Sequence, residues 1–317
     1  MQTNLTEIAP VNSPAWCFNG HIHTIARAVF NDSPKPPHQQ VKIPTPDDDF
    51  LELDVIDNEN DKPAIALFHG LEGSTESYYI TEFMNAFSQM GYSVVAVNFR
   101  SCGSRMNRQR RFYHSGETDD LTTVFNWMKY QFPRSQLGAV GFSLGGNVLL
   151  KSLAEEGDDH PANAAVAVSV PYDLRAGSLN ISKGFNKAYE YFFLKSLSKK
   201  IQQKKKTFPD LPDFTGSTLY DFDNQVTAPL HGFKNADDYY ARCSSGQFVP
   251  DIKSPTLLIH SKQDPICPVE GMSLTDVNQN KKLDYIITED GGHVGFQSRP
   301  KEWLNKVIMN YFEQNFD

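Results

Sequence analysis

No run in the 317-residue sequence approaches the roughly 20 apolar residues that a helix needs to span a bilayer. The opening stretch, MQTNLTEIAPVN, has neither the cationic nor the apolar segment of a secretory leader. No integral membrane span is expected, and the expected address is the cytoplasm. Cysteine is scarce: Cys17, Cys102, Cys243 and Cys267 are scattered without a C-x-x-C pair, which fits neither a disulfide framework nor a zinc knuckle. Basic residues do not dominate either. Lys and Arg number 30 against 38 Asp and Glu, a net charge of −8, so a chain-wide phosphate-binding surface and a nucleic-acid partner are not expected. The chain also has no internal repeat, low-complexity tract or Pro/Gly linker, which points to one compact unit over residues 1–317.

What is present is an alternation. Short apolar runs, AIALF at 64–68, SVVAV at 93–97, LGAVGF at 137–142, AAVAVSV at 164–170, TLLIH at 256–260 and LDYIIT at 283–288, are separated by helix-length segments. This is the pattern of a parallel sheet buried on both faces, an α/β class. Helices are expected near 78–90, 117–131, 145–156 and 300–314, with Pro300 in a first turn and Glu117, Asp119 and Asp120 at the positive end of theirs. VKIPTPDDDFLELDVI predicts an antiparallel hairpin around an acidic turn. The alternation breaks over 171–247, read as an inserted helical cap following a strand's carboxyl end, where ligands bind in open α/β sheets.

LGAVGF runs straight into Ser143, giving Gly141-Phe142-Ser143-Leu144-Gly145, a G-x-S-x-G elbow between strand and helix. Such a turn exposes a serine hydroxyl at its tip, and the flanking glycines allow the two backbones to approach. An elbow nucleophile needs two backbone donors for the oxyanion. The first is the Leu144 N–H. The second is assigned to Leu71 in His69-Gly70-Leu71-Glu72-Gly73, directly after AIALF, with the His69 ring supporting the loop. The base must come late in this order, and His293 in the glycine-freed turn EDGGHVGF meets that requirement. The acid is Asp264 in SKQDPICP, just past TLLIH, with Asp290 as the alternative. His114, Ser115 and Glu117 in YHSGET form a second polar cluster read as scaffold. His21 and His23 in NGHIHT are read as part of a hydrogen-bonded loop, since no nearby Cys, Asp or Glu completes a ligand set. No cofactor or metal is expected.

With these residues placed, the chain resembles the YheT-type branch of the α/β-hydrolases, a group of esterases with lipases and ester-forming acyltransferases among its eukaryotic relatives. The resemblance rests on PAWCFNGHIHTI, PTPDDDFLELD, FHGLEGS, VNFRSCG, FYHSGETDDL, VGFSLGGNVLLKSL, VSVPYDL, DYYARCSS, PTLLIHSKQDP and GGHVGF. It implies an α/β-hydrolase fold, the triad Ser143, Asp264 and His293, and hydrolysis of a carboxylic ester, small or lipid-like. The chain departs at Ser101, where the family pattern has Gly, and at IARA after HIHT, where a more aromatic stretch is usual. An alcohol acyltransferase using the same residues, or a binding protein on a hydrolase scaffold, are the alternatives. The oligomeric state is not written in the sequence. In 184–206, Phe185, Tyr189, Phe192, Phe193, Leu197 and Ile201 recur at helical spacing and are expected to face an acyl pocket, with anchoring of the cap to the core as the alternative. The lysines of the same stretch are read as a solvated face, with a surface that meets anionic lipid as the alternative.

Overall fold

The computed structural model describes residues 10–30, 33–59 and 61–316; most of the opening stretch read above for a leader lies outside them. The chain runs α1 (Gly20–Val29), β1 (Gln39–Thr45), β2 (Asp49–Ile56), β3 (Ala64–Phe68), α2 (Tyr78–Gln89), β4 (Ser93–Asn98), α3 (Thr118–Gln131), β5 (Leu137–Phe142), α4 (Leu144–Glu156), β6 (Ala164–Val168), α5 (Leu174–Ile181) and α6 (Lys187–Lys205). Then follow α7 (Leu219–Phe222), α8 (Ala228–Leu230), α9 (Ala236–Cys243), β7 (Thr256–Ser261), α10 (Leu274–Gln279), β8 (Leu283–Thr288) and α11 (Trp303–Asn315).

The eight strands form one sheet in the order β1-β2-β4-β3-β5-β6-β7-β8. The β1–β2 hairpin and the β2–β4 pair are antiparallel, and every other pair is parallel. Strands β3, β4, β5 and β6 are buried along their whole length, which is why they read in sequence as unbroken apolar runs. Two apolar layers cover the sheet. One contains Leu121, Phe125, Leu149 and Leu153 of α3 and α4, the other Phe83, Phe87, Ile308 and Phe312 of α2 and α11.

Several conspicuous motifs turn out to be joints. Arg100, almost fully buried after β4, donates to Asp120 on α3 and to Asp47 and Asp49 at the hairpin turn. A buried cation is tolerated only with such partners, so PTPDDD, VNFR and TDDL are one interlocked unit. Ser101 has a left-handed φ of 63°, a conformation that glycine adopts at least cost, which accounts for the family's glycine there. The serine hydroxyl compensates by donating to Asn107 Oδ1 at 2.6 Å and accepting the Asn107 N–H at 3.1 Å.

Three local expectations change. NGHIHT is not a loop but the start of α1, where the Asn19 side chain accepts the Ile22 N–H at 2.9 Å and caps the first turn. Pro300 precedes α11, which begins at Trp303. Glu117 sits at the N-cap of α3 without a capping bond from its side chain; its carboxylate is drawn instead to Arg111.

Candidate active site

Ser143 stands between β5 and α4 with φ 53° and ψ −120°, a strained conformation for a side-chain-bearing residue. The glycines around it have no room for a side chain. A Cβ on Gly141 would lie 2.6 Å from the Gly145 carbonyl oxygen, and one on Gly145 would lie 2.5 Å from that of Phe68. The Ser143 N–H donates to Val168 O at 2.8 Å, tying the turn to the end of β6.

Asp264 and His293 meet directly. Asp264 Oδ2 lies 2.8 Å from His293 Nδ1, while Oδ1 accepts the N–H groups of Ile266 at 2.8 Å and Cys267 at 2.9 Å. Burial by itself would raise the Asp264 pKa, but the His293 imidazole, then the His260 ring and the Cys267 N–H, outweigh it and hold the carboxyl below its ordinary value. His260, buried on β7, donates from Nε2 to the Cys267 carbonyl at 2.9 Å and braces the same turn.

The His293 loop is fixed from three sides. The His293 N–H donates to Thr24 Oγ1 on α1 at 2.9 Å, the Gly292 N–H to Ser261 Oγ at 3.2 Å, and the Val294 N–H to Ser169 Oγ at 3.0 Å. Since Val168 holds Ser143 and Ser169 holds Val294, the end of β6 brings the elbow and the imidazole loop together. Cys267, which the sequence reading passed over, stands between them. It lines the same cavity as Ser143, and its sulfur and ligand atoms of Asp264 and His293 lie within 4.8 Å of one another. Burial, followed by the Asp264 charge, pushes this thiol well above its ordinary pKa and keeps it neutral. Among the described residues this is the one group of three such side chains close enough to hold a metal ion. The Asp264 oxygens, however, are already spent on His293 and two amides. The only sequence signal for Cys267 was its position three residues after Asp264. Asp290 faces elsewhere, accepting from Gln263 Nε2 at 3.0 Å.

The loop after β3 has a defined frame. His69 is fully buried. Its Nε2 accepts the Phe99 N–H at 3.2 Å, so Nδ1 carries the proton and donates to Gly70 O at 2.7 Å. Burial lowers its pKa to about 3, and a ring held neutral in this way supports the loop. The Gly70 N–H donates to Tyr79 OH at 2.9 Å and the Glu72 N–H to Tyr113 OH at 2.7 Å. Between them, the Leu71 N–H makes no hydrogen bond among the described residues, and neither does the Leu144 N–H at the start of α4. The Glu72 carboxylate accepts from Lys200 Nζ at 2.7 Å, from Tyr113 OH at 2.9 Å and from the Ser196 hydroxyl. Lys200 and Ser196 are on α6. Two lysines of this helix thus point inward: Lys200 to Glu72, and buried Lys204 to Asn107 and over the Phe112 ring.

A cavity of about 1070 Å³, part of it open to solvent, reaches from Ser143, Leu144, Leu71 and Cys267 into the segment between β6 and β7, where Ile181, Phe193, Leu197 and Phe222 line it. Phe193 lines the cavity but Phe192 is 67% exposed, so the helical face drawn from sequence is rotated and only part of it looks inward. His114 and Ser115 line the cavity. The Ser115 N–H donates to Tyr239 OH, and Asn147 of α4 donates to its carbonyl at 2.7 Å, which makes YHSGE a joint between α4 and α9.

With this geometry in place, the family model described as the alpha/beta hydrolase fold matches residues 63–300. The chain belongs to the α/β-hydrolase family. It is 35% identical to YheT of Escherichia coli (strain K12), over 92% of this chain and 90% of that one, in keeping with the YheT-type resemblance. It is 27% identical to the phospholipase ABHD3 of Homo sapiens, over 94% of this chain and 77% of the other, and 27% identical to the monoacylglycerol lipase of Saccharomyces cerevisiae, over 91% and 65%. Among solved structures, the Pyrococcus furiosus esterase Pf2001 superposes with a TM-score of 0.60, at 21% identity, covering 89% of this chain and 94% of that one. At that identity the likeness speaks for the fold. Among the described residues no helix is long and apolar enough to cross a membrane.

Proposed function

We propose that this α/β-hydrolase cleaves carboxylic esters of short to medium acyl chains, with Ser143 as nucleophile, His293 as general base, Asp264 as its acidic partner and the Leu71 and Leu144 N–H groups as oxyanion donors. The observation that carries the reading is the 2.8 Å contact between Asp264 Oδ2 and His293 Nδ1, on a loop tied to the strand end that also holds the elbow. The carboxylate keeps the proton on Nδ1, which leaves Nε2 free to accept the Ser143 proton as its oxygen attacks the ester carbonyl. Charge then develops on the carbonyl oxygen, where the two amides are unspent. The imidazolium returns its proton to the leaving alcohol, and water activated by the same ring releases the acid. A p-nitrophenyl ester series on the purified protein tests the reading, and no turnover of any chain length rejects it.

In this reading the helices between β6 and β7 form a cap over the acyl cavity. Phe193→Ala shifts the kcat/KM ratio between butyrate and octanoate esters, because each buried methylene is worth about 0.8 kcal/mol. Exposed Phe192→Ala leaves the ratio unchanged. Equal losses for both esters in Phe193→Ala would mean that the ring holds the cap in place without selecting the chain.

Lys200 acts as a positioning residue in the same scheme. By holding Glu72 from the cap it sets the Leu71 N–H, and a displaced donor costs on the order of 10²-fold. Lys200→Met lowers kcat by roughly that factor with KM little changed, and Lys200→Arg restores most of it. Thermal unfolding separates this from a stability effect. The double variant Glu72→Gln/Lys200→Met regains stability by removing the orphaned buried charge, yet kcat stays low. Recovery of kcat along with stability would show a purely structural pair.

A further inference from the structure

Eleven large apolar side chains are exposed on the described surface, and eight of them lie in two short stretches, 16–30 and 185–192. Trp16, Phe18, Val29, Phe30, Phe185 and Phe192 are between 45% and 74% exposed, far more than scattered surface apolars require. The two stretches are joined. The His21 ring on α1 stands 4.9 Å from the Phe185 ring, and its Nδ1 lies 3.1 Å from Tyr189 OH on α6. An apolar groove open to solvent runs between them, lined by Trp16, Ile25, Val29, Phe30 and Phe185.

The charge of this face is opposite to that of the chain. Residues 10–30 contain no acid and one cation, Arg27. Residues 183–206 contain eight lysines and a single acid, Glu190, which is buried and accepts from Ser182 and from the Leu219 N–H. Lys183, Lys187, Lys195 and Lys199 are exposed beside Tyr191 and Phe192, whereas the whole chain carries −8.

We infer that this face docks peripherally on a bilayer containing anionic phospholipid, with the aromatic side chains entering the interface and the four lysines meeting the headgroups. The charge decides the occupant. Two copies of the face brought together by a two-fold axis would set lysines against lysines, whereas an anionic bilayer satisfies both the apolar and the cationic side chains. The contact also reaches the active site. The inner side of α1 holds the imidazole loop, with Thr24 accepting the His293 N–H and His23 Nδ1 accepting the Gln297 N–H at 3.1 Å. A Cβ on Gly20 would overlap the Gln263 carbonyl oxygen, beside Asp264, so the helix is seated tightly between the two loops. Docking therefore places the helix that holds the His293 and Gln263 loops at a lipid surface. That consequence for substrate class, esters carried in membranes, rests on the ester-hydrolase reading, while the binding itself does not.

The test is co-sedimentation of the full chain with phosphatidylcholine vesicles, with and without 30 mol % phosphatidylglycerol. It is run beside turnover of soluble p-nitrophenyl butyrate. Binding is expected to the anionic vesicles alone and to weaken as salt is raised. Phe18→Ser/Phe30→Ser and Lys187→Glu/Lys195→Glu/Lys199→Glu should each lower the bound fraction at least about tenfold and leave butyrate turnover unchanged. Absence of binding to anionic vesicles, or binding by either variant equal to that of the unaltered chain, overturns the proposal. So does a dimer on size exclusion that either variant dissociates, which would assign the face to a second copy. Vesicle binding without any butyrate turnover would instead reject the ester-hydrolase reading and leave the docking face standing.

Discussion

Ser143→Ala is expected to abolish covalent labelling by a fluorophosphonate and to lower kcat by about 10⁶, the scale of a lost triad nucleophile. The expectation follows from local geometry. With φ at 53°, the backbone pushes the hydroxyl out at the tip of the elbow, and the cavity begins there. Two neighbours could in principle take the label. Cys267 lines the same cavity as Ser143, but its thiol stays protonated because burial raises its pKa well above the ordinary value, so Cys267→Ala retains labelling. Ser115 is buried, and its backbone is pinned between Tyr239 and Asn147. Peptide mapping of the labelled protein discriminates among them, and an adduct on Ser115 or Cys267 would reject the assignment of the nucleophile.

The sheet was legible because the inner parallel strands bury both faces and read as apolar runs with nothing alternating; β3 and β5 coincide with AIALF and LGAVGF, and half-buried β8 at the sheet edge with LDYIIT. The elbow, the loop after β3 and the late histidine were legible because backbone constraint writes glycine into the sequence. What escaped was long-range polar partnership. Glu72 and Lys200 are 128 residues apart, and no periodicity records their ion pair. In the lysine-rich stretch, a charge at an inward helical position looks like any other surface charge until its buried partner is known. Lys200 and Lys204 therefore read as solvated. The same limit hid α1. Its cap, Asn19, was visible, but its reason for being helical is tertiary, since it is clamped between the Gln263 and His293 loops.

Asp264→Asn is expected to lower kcat by roughly 10⁴, while Asp290→Asn remains near wild type. The argument turns on how the amide must sit. Asp264 Oδ1 accepts two N–H groups, from Ile266 and Cys267, and only an oxygen can take that place. The substituted asparagine therefore keeps its carbonyl there and turns its NH₂ toward His293 Nδ1, where Oδ2 had been 2.8 Å away. Nδ1 must then accept, the ring proton moves to Nε2, and the nitrogen that has to act as the base has no free lone pair. The geometry survives and the tautomer is wrong, which is the case in which a losses of about 10⁴ arise in serine triads. Asp290 makes its contact with Gln263 Nε2, which an asparagine carbonyl reproduces. Matched kcat values for the two variants on one p-nitrophenyl ester decide the matter. If Asp290→Asn shows the deep loss and Asp264→Asn the mild one, the carboxylate that orients His293 is Asp290.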